Sequence, residues 1–386
     1  MNRLVSILVF SCCTLFGKSD SLESPNAIFE RQVDTIMRKY KGIGLSVVLV
    51  KDNRIDFSKS FGYNPDYSNP NSRDTIRSTD VSWIASISKT FIATAIMQLE
   101  EKGRLSLDDD VNKYLDFRVS NPYYPDIPIT IRMLMCHISS LDGEKVCNNF
   151  DLLSPQLNPE YKSFYTDYAP GTNYSYCNIG YNLLGAVIEK VSDQRFDDYI
   201  SESIMKPLGL YGGYDVTKLD KSRFVWPRYY NSKTKTFLNL KSVYNINNDK
   251  LNDYVLGYST PCLYPPGGMI ISALDLAKFM LVHMNIGEYG GVRIISAESE
   301  KEMRRSQNGK NYGLALAHYA YIISGVELLG MTGGSKGFHT AMFFHPTEKY
   351  GFIVICNGCT SKTINGIQMN QEVVREMYNC FIRNKK

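Results

Sequence analysis

Hydrophobic residues are spaced for strands near both ends of the chain, whereas the long middle is spaced mainly for helices. Helical spacing predicts helices over 25–40, 83–103, 273–284 and 368–382. Alternating or continuous apolar runs predict strands over 44–50, 55–61, 322–331, 338–344 and 352–356. Residues 104–260 show helices and loops without strong strand signals. We therefore predict an α+β fold, an antiparallel β-sheet flanked by N- and C-terminal helices with an inserted helical subdomain.

The first residues form a separate short segment in which a positive charge precedes an apolar run. Arg3 supplies the charge, the run covers 4–16, and small residues follow it. A run this short does not span a bilayer, so we predict a secretory signal peptide over 1–19 and one folded domain over 20–386. We expect an exported protein, periplasmic or secreted. The alternatives are a buried first helix and a bacterial lipoprotein box that anchors the chain at Cys12.

Charge and cysteine content exclude several classes of protein. The net charge of +4 is small for 386 residues, so we expect no nucleic-acid partner. Of nine cysteines, seven remain without Cys12 and Cys13, and an odd number argues against a disulfide framework. Cys356 and Cys359 have the spacing of a redox motif, but they end a predicted strand instead of opening a helix. No HExxH or paired CxxC motif occurs, and we expect no metal and no cofactor.

Ser86 and Lys89 form an S-x-x-K motif at the start of the apolar helix predicted over 83–103. Residues three apart lie on one face of a helix, so the hydroxyl and the amine are neighbours. Burial lowers the pKa of a lysine amine, and a neutral amine can accept the serine proton. Backbone N–H groups at the helix N-terminus would stabilise an oxyanion. The pair predicts a serine nucleophile with a lysine base.

The S-x-x-K motif also occurs at Ser203 and Ser232, where it opens no apolar helix. The first copy runs into Pro207, and the second lies in a polar loop. The position at the start of an apolar helix therefore makes Ser86 the candidate nucleophile among the three serines. On this motif alone, a capping serine with a solvent-reaching lysine stays an equal alternative.

A Tyr-x-Asn motif supplies a partner for the serine and the lysine. Of its copies at Tyr67, Tyr176 and Tyr229, the one at Tyr176 leads into a helical pattern. A tyrosine hydroxyl with a pKa of about 10 is a poor base unless a cation such as Lys89 stabilises its phenolate. Asn178 can hold both the lysine and a substrate amide by hydrogen bonds.

The stretch Met331-Thr332-Gly333-Gly334 ends a predicted apolar strand. Glycines at this point let a substrate lie against the strand edge, and a backbone N–H completes an oxyanion hole. We therefore predict that Thr332, Gly333 and Gly334 bind substrate.

In their order and spacing, several stretches resemble the serine β-lactamase and penicillin-binding-protein group, specifically the class C β-lactamase-like serine hydrolases. Beside SISK and YCN they are LEEKGRLSLDDDVNKYL, PGTNYSYCNIGYNLLGAVIEKV, IMKPLGL, PPGGMIISALDLAKFM and GMTGGSKGF. The resemblance implies that Ser86 is acylated, that Lys89 and Tyr176 share acid–base work, and that Asn178 orients. It also implies an oxyanion hole formed by the N–H groups of Ser86 and Gly334.

Two stretches depart from the pattern of that family. The family usually has Lys or His where Met331 stands, and methionine neither carries charge nor donates a hydrogen bond. We therefore expect weaker recognition of a substrate carboxylate. His137 lies in LMCHISSLDG, which replaces the usual His-Thr-Ser-Gly-Leu, and we interpret it as a packing residue.

Ser335 offers a rival nucleophile, because GGSKG matches the G-x-S-x-G elbow of α/β-hydrolases. The elbow needs a helix after its serine, yet FHTAMFF predicts a strand, and no Asp follows Ser335. The elbow interpretation therefore fails.

The sequence thus predicts an exported serine hydrolase that acts through an acyl-serine intermediate on amides or esters. A β-lactam, a D-alanyl peptide or a small ester is the expected partner, and we expect a monomer. The alternative is a weak or inactive module that binds penicillin or peptidoglycan peptides, and Met331 is its support.

Overall fold

A computed structural model describes residues 23–64, 74–240, 244, 252–307, 309–361 and 363–383. The predicted signal peptide, the alternative anchor at Cys12 and the alternative motif at Tyr67 lie outside these residues.

Helices and strands alternate irregularly along the described residues. The α-helices are α1 Pro25–Tyr40, α2 Ser88–Glu101, α3 Ile131–Met135, α4 Asn178–Ser192, α5 Phe196–Ile200, α6 Ala273–Met284, α7 Ala297–Arg304 and α8 Met369–Phe381. The strands are β1 Gly44–Lys51, β2 Arg54–Gly62, β3 Val81–Trp83, β4 Gly212–Gly213, β5 Arg228–Asn231, β6 Thr236–Asn239, β7 Ile270–Ser272, β8 Glu288–Tyr289, β9 Val292–Arg293, β10 Ala317–Ile323, β11 Val326–Ser335, β12 Phe338–Phe344 and β13 Tyr350–Asn357.

A six-stranded antiparallel sheet joins the two ends of the chain in the order β10-β11-β12-β13-β1-β2. Successive side chains of a strand point to opposite faces, and here both faces are buried. Val47 and Val354 face one core with α1 and α8, whereas Val48 and Ile353 face the core that contains α2, α4 and α6. The α+β architecture that the sequence predicts is confirmed.

Helix α2 lies inside the second core and is buried from Ser88 to Leu99. Apolar residues occur on all sides of this helix. Helices α4, α5 and α7 and the turn that precedes α2 all pack against it. A helix that is apolar all round is buried on every side. This explains why a lysine near its start has no route to solvent.

Most elements lie where the hydrophobic spacing predicts them, and the exceptions have local causes. The single strand predicted over 322–331 is wrong: β10 ends and β11 begins around a tight turn at Gly325, whose φ is +76°. The apolar residues on both sides of Ser324-Gly325 favoured one continuous strand, although Ser-Gly is itself a turn signal. The middle of the chain is not purely helical, since β4, β5 and β6 lie there. These strands have four residues or fewer, too few to produce a periodic pattern.

Candidate active site

Ser86 lies in a 3-10 turn that leads directly into α2. The residue before it, Ala85, has a φ of +48°, a left-handed conformation that costs a non-glycine residue about 1–3 kcal/mol. Two hydrogen bonds hold this turn: Ser88 Oγ donates to Ala85 O at 2.6 Å, and Thr340 Oγ1 donates to Ile84 O at 2.9 Å. The fold therefore fixes the serine hydroxyl at the mouth of a buried helix.

Lys89 is fully buried beside the serine. Its Nζ lies 3.1 Å from Ser86 Oγ and donates a hydrogen bond to Pro266 O at 2.8 Å. The amine also faces the rings of Tyr176 and Tyr181, 4.9 and 5.5 Å from their centroids. Burial holds the pKa of this amine well below its ordinary value, and within the described ranges no carboxylate pairs with it. A neutral amine in contact with a hydroxyl can act as its base.

Tyr176 lines the same cleft as Ser86 from the segment that precedes α4, and the serine hydroxyl lies close enough to affect the pKa of the phenol. Burial raises the pKa of Tyr176 above its ordinary value and outweighs the effect of the Ser86 hydrogen bond. The neutral phenol is therefore favoured where we expected a phenolate stabilised by Lys89. The physical reason is that burial removes the charge from the lysine as well. A neutral phenol is suited to donate a proton.

Asn178 is the first residue of α4 and lies close in sequence to Tyr176, but it does not hold the lysine as expected. Among the described residues, the partners of the Lys89 amine are Ser86 Oγ and Pro266 O. The Oδ1 atom of Asn178 is buried and has no hydrogen-bond partner in the described part of the chain. Asn178 is not among the residues that line the cleft at Ser86, so its orienting role stays a prediction.

Strand β11 runs past the serine turn and brings the predicted glycines to it. A Cβ on Gly333 would lie 2.3 Å from Ile84 O and from Thr340 Oγ1, so only glycine permits this approach. Thr332 and Gly334 line the same cleft as Ser86, whereas Gly333 contacts the turn itself. The structure thus brings all three to the serine, and two of them face the space that a substrate would occupy.

A cleft of about 980 Å³ opens beside Ser86. Tyrosines dominate its lining, although the chain's 27 tyrosines show no grouping in the sequence. The five that line it are Tyr174, Tyr176, Tyr312, Tyr319 and Tyr321. Lys310 and His318 are the titratable lining residues of other types, and His318 contacts Glu327. The cleft is therefore largely aromatic.

Met331 forms part of the cleft wall at the position where the related family usually has a cation. Its side chain is 3% exposed, and its Sδ accepts a hydrogen bond from Tyr312 Oη at 3.7 Å. Lys336, five residues beyond Met331, is exposed and does not line the cleft. The wall at Met331 is therefore uncharged.

The rival serines lie in other environments. Ser203 Oγ donates to Tyr199 O at 2.7 Å, and Lys206 pairs with Glu202 instead of with the serine. Ser232 is exposed in the turn between β5 and β6. Ser335 ends β11 and is followed by β12 instead of a helix, which confirms that the α/β-hydrolase elbow does not apply.

Two residues at the site were missed by sequence reasoning. Pro266 contributes a backbone carbonyl, which no side-chain pattern reveals. His137, interpreted as packing, also makes specific hydrogen bonds beside Tyr176. Its position two residues after the end of α3 offered no chemical signal.

The described ranges also bear on metal, redox and membrane-spanning sites. No three His, Cys, Asp or Glu side chains there gather as metal ligands would. Cys356 and Cys359 are buried and unbridged, and burial raises the pKa of the Cys359 thiol to about 12. None of the described helices is long and apolar enough to cross a membrane.

Comparison with curated proteins finds relatives that are longer than this chain. Protein flp from Staphylococcus aureus (strain MRSA252) is 25% identical over 336 residues, which cover 85% of this chain and 63% of that protein. This chain therefore spans less than two thirds of that relative's length.

Solved structures with the same fold align with this chain over larger shares of both chains. The octameric penicillin-binding protein homologue from Pyrococcus abyssi has a TM-score of 0.70 and 24% identity, covering 91% of this chain and 77% of its own. D-amino acid amidase from Ochrobactrum anthropi SV3, complexed with D-phenylalanine, has a TM-score of 0.70 and 19% identity, covering 94% and 99%. These likenesses concern the fold.

The sequence profile of the Beta-lactamase family matches residues 29–365, which include Ser86, Lys89, Tyr176 and strand β11. The match is to the family as a whole and does not single out class C. This chain therefore belongs to the beta-lactamase family, within the superfamily of serine hydrolases that includes the penicillin-binding proteins.

Proposed function

We propose that this protein hydrolyses amide or ester bonds through an acyl-Ser86 intermediate. The observation that carries the proposal is the fully buried Lys89 amine, 3.1 Å from Ser86 Oγ. Burying an amine is costly, and a capping serine with a solvent-reaching lysine would not need it. The lysine reaches no solvent, so the structural alternative that the motif left open is disfavoured.

The acylation step follows from the protonation states at the site. Ser86 Oγ attacks the substrate carbonyl carbon while its proton passes to the neutral Lys89 amine. The Tyr176 phenol then donates its proton to the leaving amine or alcohol, and the carbonyl bond to that group breaks. The proton on Lys89 restores the phenol. Water subsequently attacks the acyl-serine, gives one proton back to Ser86 Oγ, and releases the acid.

The cleft supports a preference for uncharged substrates. Met331 supplies no cation on the β11 side of the cleft, where tyrosine is the commonest lining residue, and Lys310 is the lysine in the lining. β-Lactams, D-alanyl peptides and small esters all remain chemically possible acyl donors, but those that depend on a carboxylate lose a charge-assisted contact. We therefore propose a weak β-lactamase that prefers neutral esters or amides. The likeness to a D-amino acid amidase supports amides with an aromatic side chain as test substrates.

A second candidate function is a weak or inactive module that binds penicillin or peptidoglycan peptides, and Met331 favours it. Such a module would either not react or accumulate an acyl adduct without turnover. Intact-protein mass spectrometry after exposure to a penicillin and to a p-nitrophenyl ester separates the two functions. Transient adducts with product release support the hydrolase, whereas a stable adduct or none supports the module.

We also propose that the protein is exported, with a lipid anchor at Cys12 as the alternative. The charged and apolar segment over 1–19 supports export. N-terminal sequencing of the protein from its native host distinguishes the two outcomes, because a lipidated chain begins at a blocked Cys12.

The nucleophile is tested by covalent labelling with a fluorophosphonate probe. Ser86→Ala is expected to abolish labelling, because the lysine base lies beside this serine. Ser203→Ala, Ser232→Ala and Ser335→Ala are the matched controls and are expected to label like the wild type. Labelling that survives in Ser86→Ala would refute the assignment.

A further inference from the structure

His137 is fully buried against the proposed proton donor. Its ring lies 4.3 Å from the ring of Tyr176 and contacts three further tyrosine rings, those of Tyr174, Tyr181 and Tyr312. The residue is 1% exposed and has a φ of +61°. Packing alone would be served by an apolar side chain without the left-handed backbone, so its polar contacts need an explanation.

Two hydrogen bonds from the Tyr176 segment end on this one residue. The backbone N–H of Ser175 donates to His137 O at 2.8 Å, and the backbone N–H of Cys177 donates to His137 Nδ1 at 3.0 Å. The two donors flank Tyr176 on either side. His137 therefore holds the backbone both before and after Tyr176, which lines the cleft together with Ser86.

The same contacts determine where the imidazole proton lies. A backbone N–H can only donate, so Nδ1 carries no proton and Nε2 carries it. Nε2–H then donates to Tyr312 Oη at 3.2 Å, and Tyr312 donates to Met331 Sδ, which can only accept. Both ends of this chain of hydrogen bonds thus have a fixed direction. Burial and the nearby Lys89 also hold the pKa of His137 well below its ordinary value.

We propose that His137 is a positioning residue, whose Nδ1 and carbonyl oxygen hold Tyr176 with its hydroxyl at Ser86. The proposal rests on the proposed function, since it gives Tyr176 a role in acylation. The chain through Tyr312 keeps the imidazole in the one tautomer that can accept from Cys177, and it ends at Met331. A protonated lysine at position 331 would donate to Tyr312, whereas the sulfur of Met331 accepts from it.

The backbone conformation of His137 allows a matched pair of variants. Gly and Asn both tolerate a positive φ, but only Asn offers an acceptor near the place of Nδ1. In His137→Gly the Tyr176 segment is released, and a misplacement of about 1 Å can cost roughly 100-fold in rate. We expect His137→Gly to lower the acylation rate of a p-nitrophenyl ester by at least about tenfold with little change in KM. His137→Asn is expected to recover most of the loss.

A double-mutant cycle with Tyr176→Phe separates positioning from folding. If His137 acts through Tyr176, His137→Gly lowers the acylation rate in the wild-type background. It then has little further effect on the acylation rate in the Tyr176→Phe background. Thermal unfolding of the same proteins reports the purely structural loss, which is expected to be alike in both backgrounds. An equal rate loss in both backgrounds, or a failure of Asn to restore the rate in a folded protein, would overturn the proposal.

A further variant keeps the test usable if the glycine protein does not fold. His137→Gln retains a donor for Tyr312 but removes the acceptor for Cys177, so the same rate losses are expected from it. The single variants Ser86→Ala and Tyr176→Phe report on the proposed function by itself. Normal turnover in Ser86→Ala refutes that function, and normal turnover in Tyr176→Phe refutes the role of Tyr176 in acylation, whereas equal losses in the cycle refute the role of His137 alone.

Discussion

Lys89 lies in the first turn of the apolar helix α2, and its amine is buried. The hydrogen-bond partners of this amine are Ser86 Oγ and Pro266 O. Burial disfavours its charged form, and the neutral form is the one that can accept a proton from Ser86. Reactivity and folding stability are therefore linked at this residue. In the unfolded chain the same amine is hydrated and protonated at neutral pH.

Lys89→Met removes the amine and is expected to abolish acylation while changing how stability depends on pH. Between the lowered folded pKa and the unfolded pKa, the unfolded wild type binds one proton more than the folded protein, so wild-type stability rises with pH. The free energy of unfolding of wild type minus that of Lys89→Met should rise by up to about 1.4 kcal/mol per pH unit. Denaturant unfolding at pH 7, 8 and 9 measures this.

The matched control is Lys336→Met, because Lys336 is exposed in a turn. Its removal should leave the pH dependence of the unfolding free energy unchanged. The difference in unfolding free energy between wild type and Lys89→Met could also stay constant with pH. In that case the buried amine is charged in the folded protein, and its role as a neutral base is contradicted.

At the scale of elements, the site depends on the contact between β11 and the turn before α2. Gly333 allows the strand to approach Ile84 O and Thr340 Oγ1 of the turn and its neighbour strand. The next residue, Gly334, has open space instead: the nearest atom to a Cβ there lies 3.5 Å away. A side chain larger than that of glycine therefore clashes at position 333 but has room at position 334.

Gly333→Ala is expected to destabilise the protein by about 1–3 kcal/mol, because the added methyl group overpacks the contact with backbone and Thr340. It should also lower the acylation rate, since the displaced turn carries Ser86. Gly334→Ala is the control and should change the unfolding free energy by less than about 0.5 kcal/mol. Thermal unfolding and fluorophosphonate labelling of both variants measure this, and equal effects would contradict the contact described.

At the scale of the whole molecule, the cleft is assembled from segments that are far apart in the chain. Ser86 comes from the start of α2, Tyr174 and Tyr176 from the segment before α4, and the remaining tyrosines from the region of β10. Met331 closes the wall from β11 without a charge. The electrostatic character of the cleft therefore belongs to the assembled fold and not to one motif.

Met331→Lys is expected to raise kcat/KM for carboxylate-bearing substrates relative to neutral esters. A charge-assisted hydrogen bond contributes about 1.5–3 kcal/mol, so the ratio should change by roughly ten- to a hundredfold. Met331→Leu is the control, because it keeps the wall uncharged and should leave the ratio unchanged. Steady-state kinetics with a chromogenic cephalosporin and a p-nitrophenyl ester measure it. Equal changes for both substrates would show that another group recognises the carboxylate.

Local spacing by itself determined much of this protein. The helices α1 and α6 and the strand β12 begin and end at the predicted residues, because their side-chain periodicity is a local property. The same locality places Lys89 one turn from Ser86, and the apolar helix that follows distinguishes this copy of the motif from those at Ser203 and Ser232. The antiparallel sheet joining both ends of the chain also followed, because the strong strand patterns occur there, whereas the strands in the middle are too short to produce one.

Only the tertiary structure decided which distant groups complete the site. Pro266 O and the two amides that bind His137 are backbone atoms, and backbone hydrogen bonds between remote segments have no signature in residue type. The tyrosines appear scattered until the fold places five of them around one cleft. The protonation of Lys89 and Tyr176 was undetermined for the same reason: burial sets both pKa values, and burial is a property of the packed molecule.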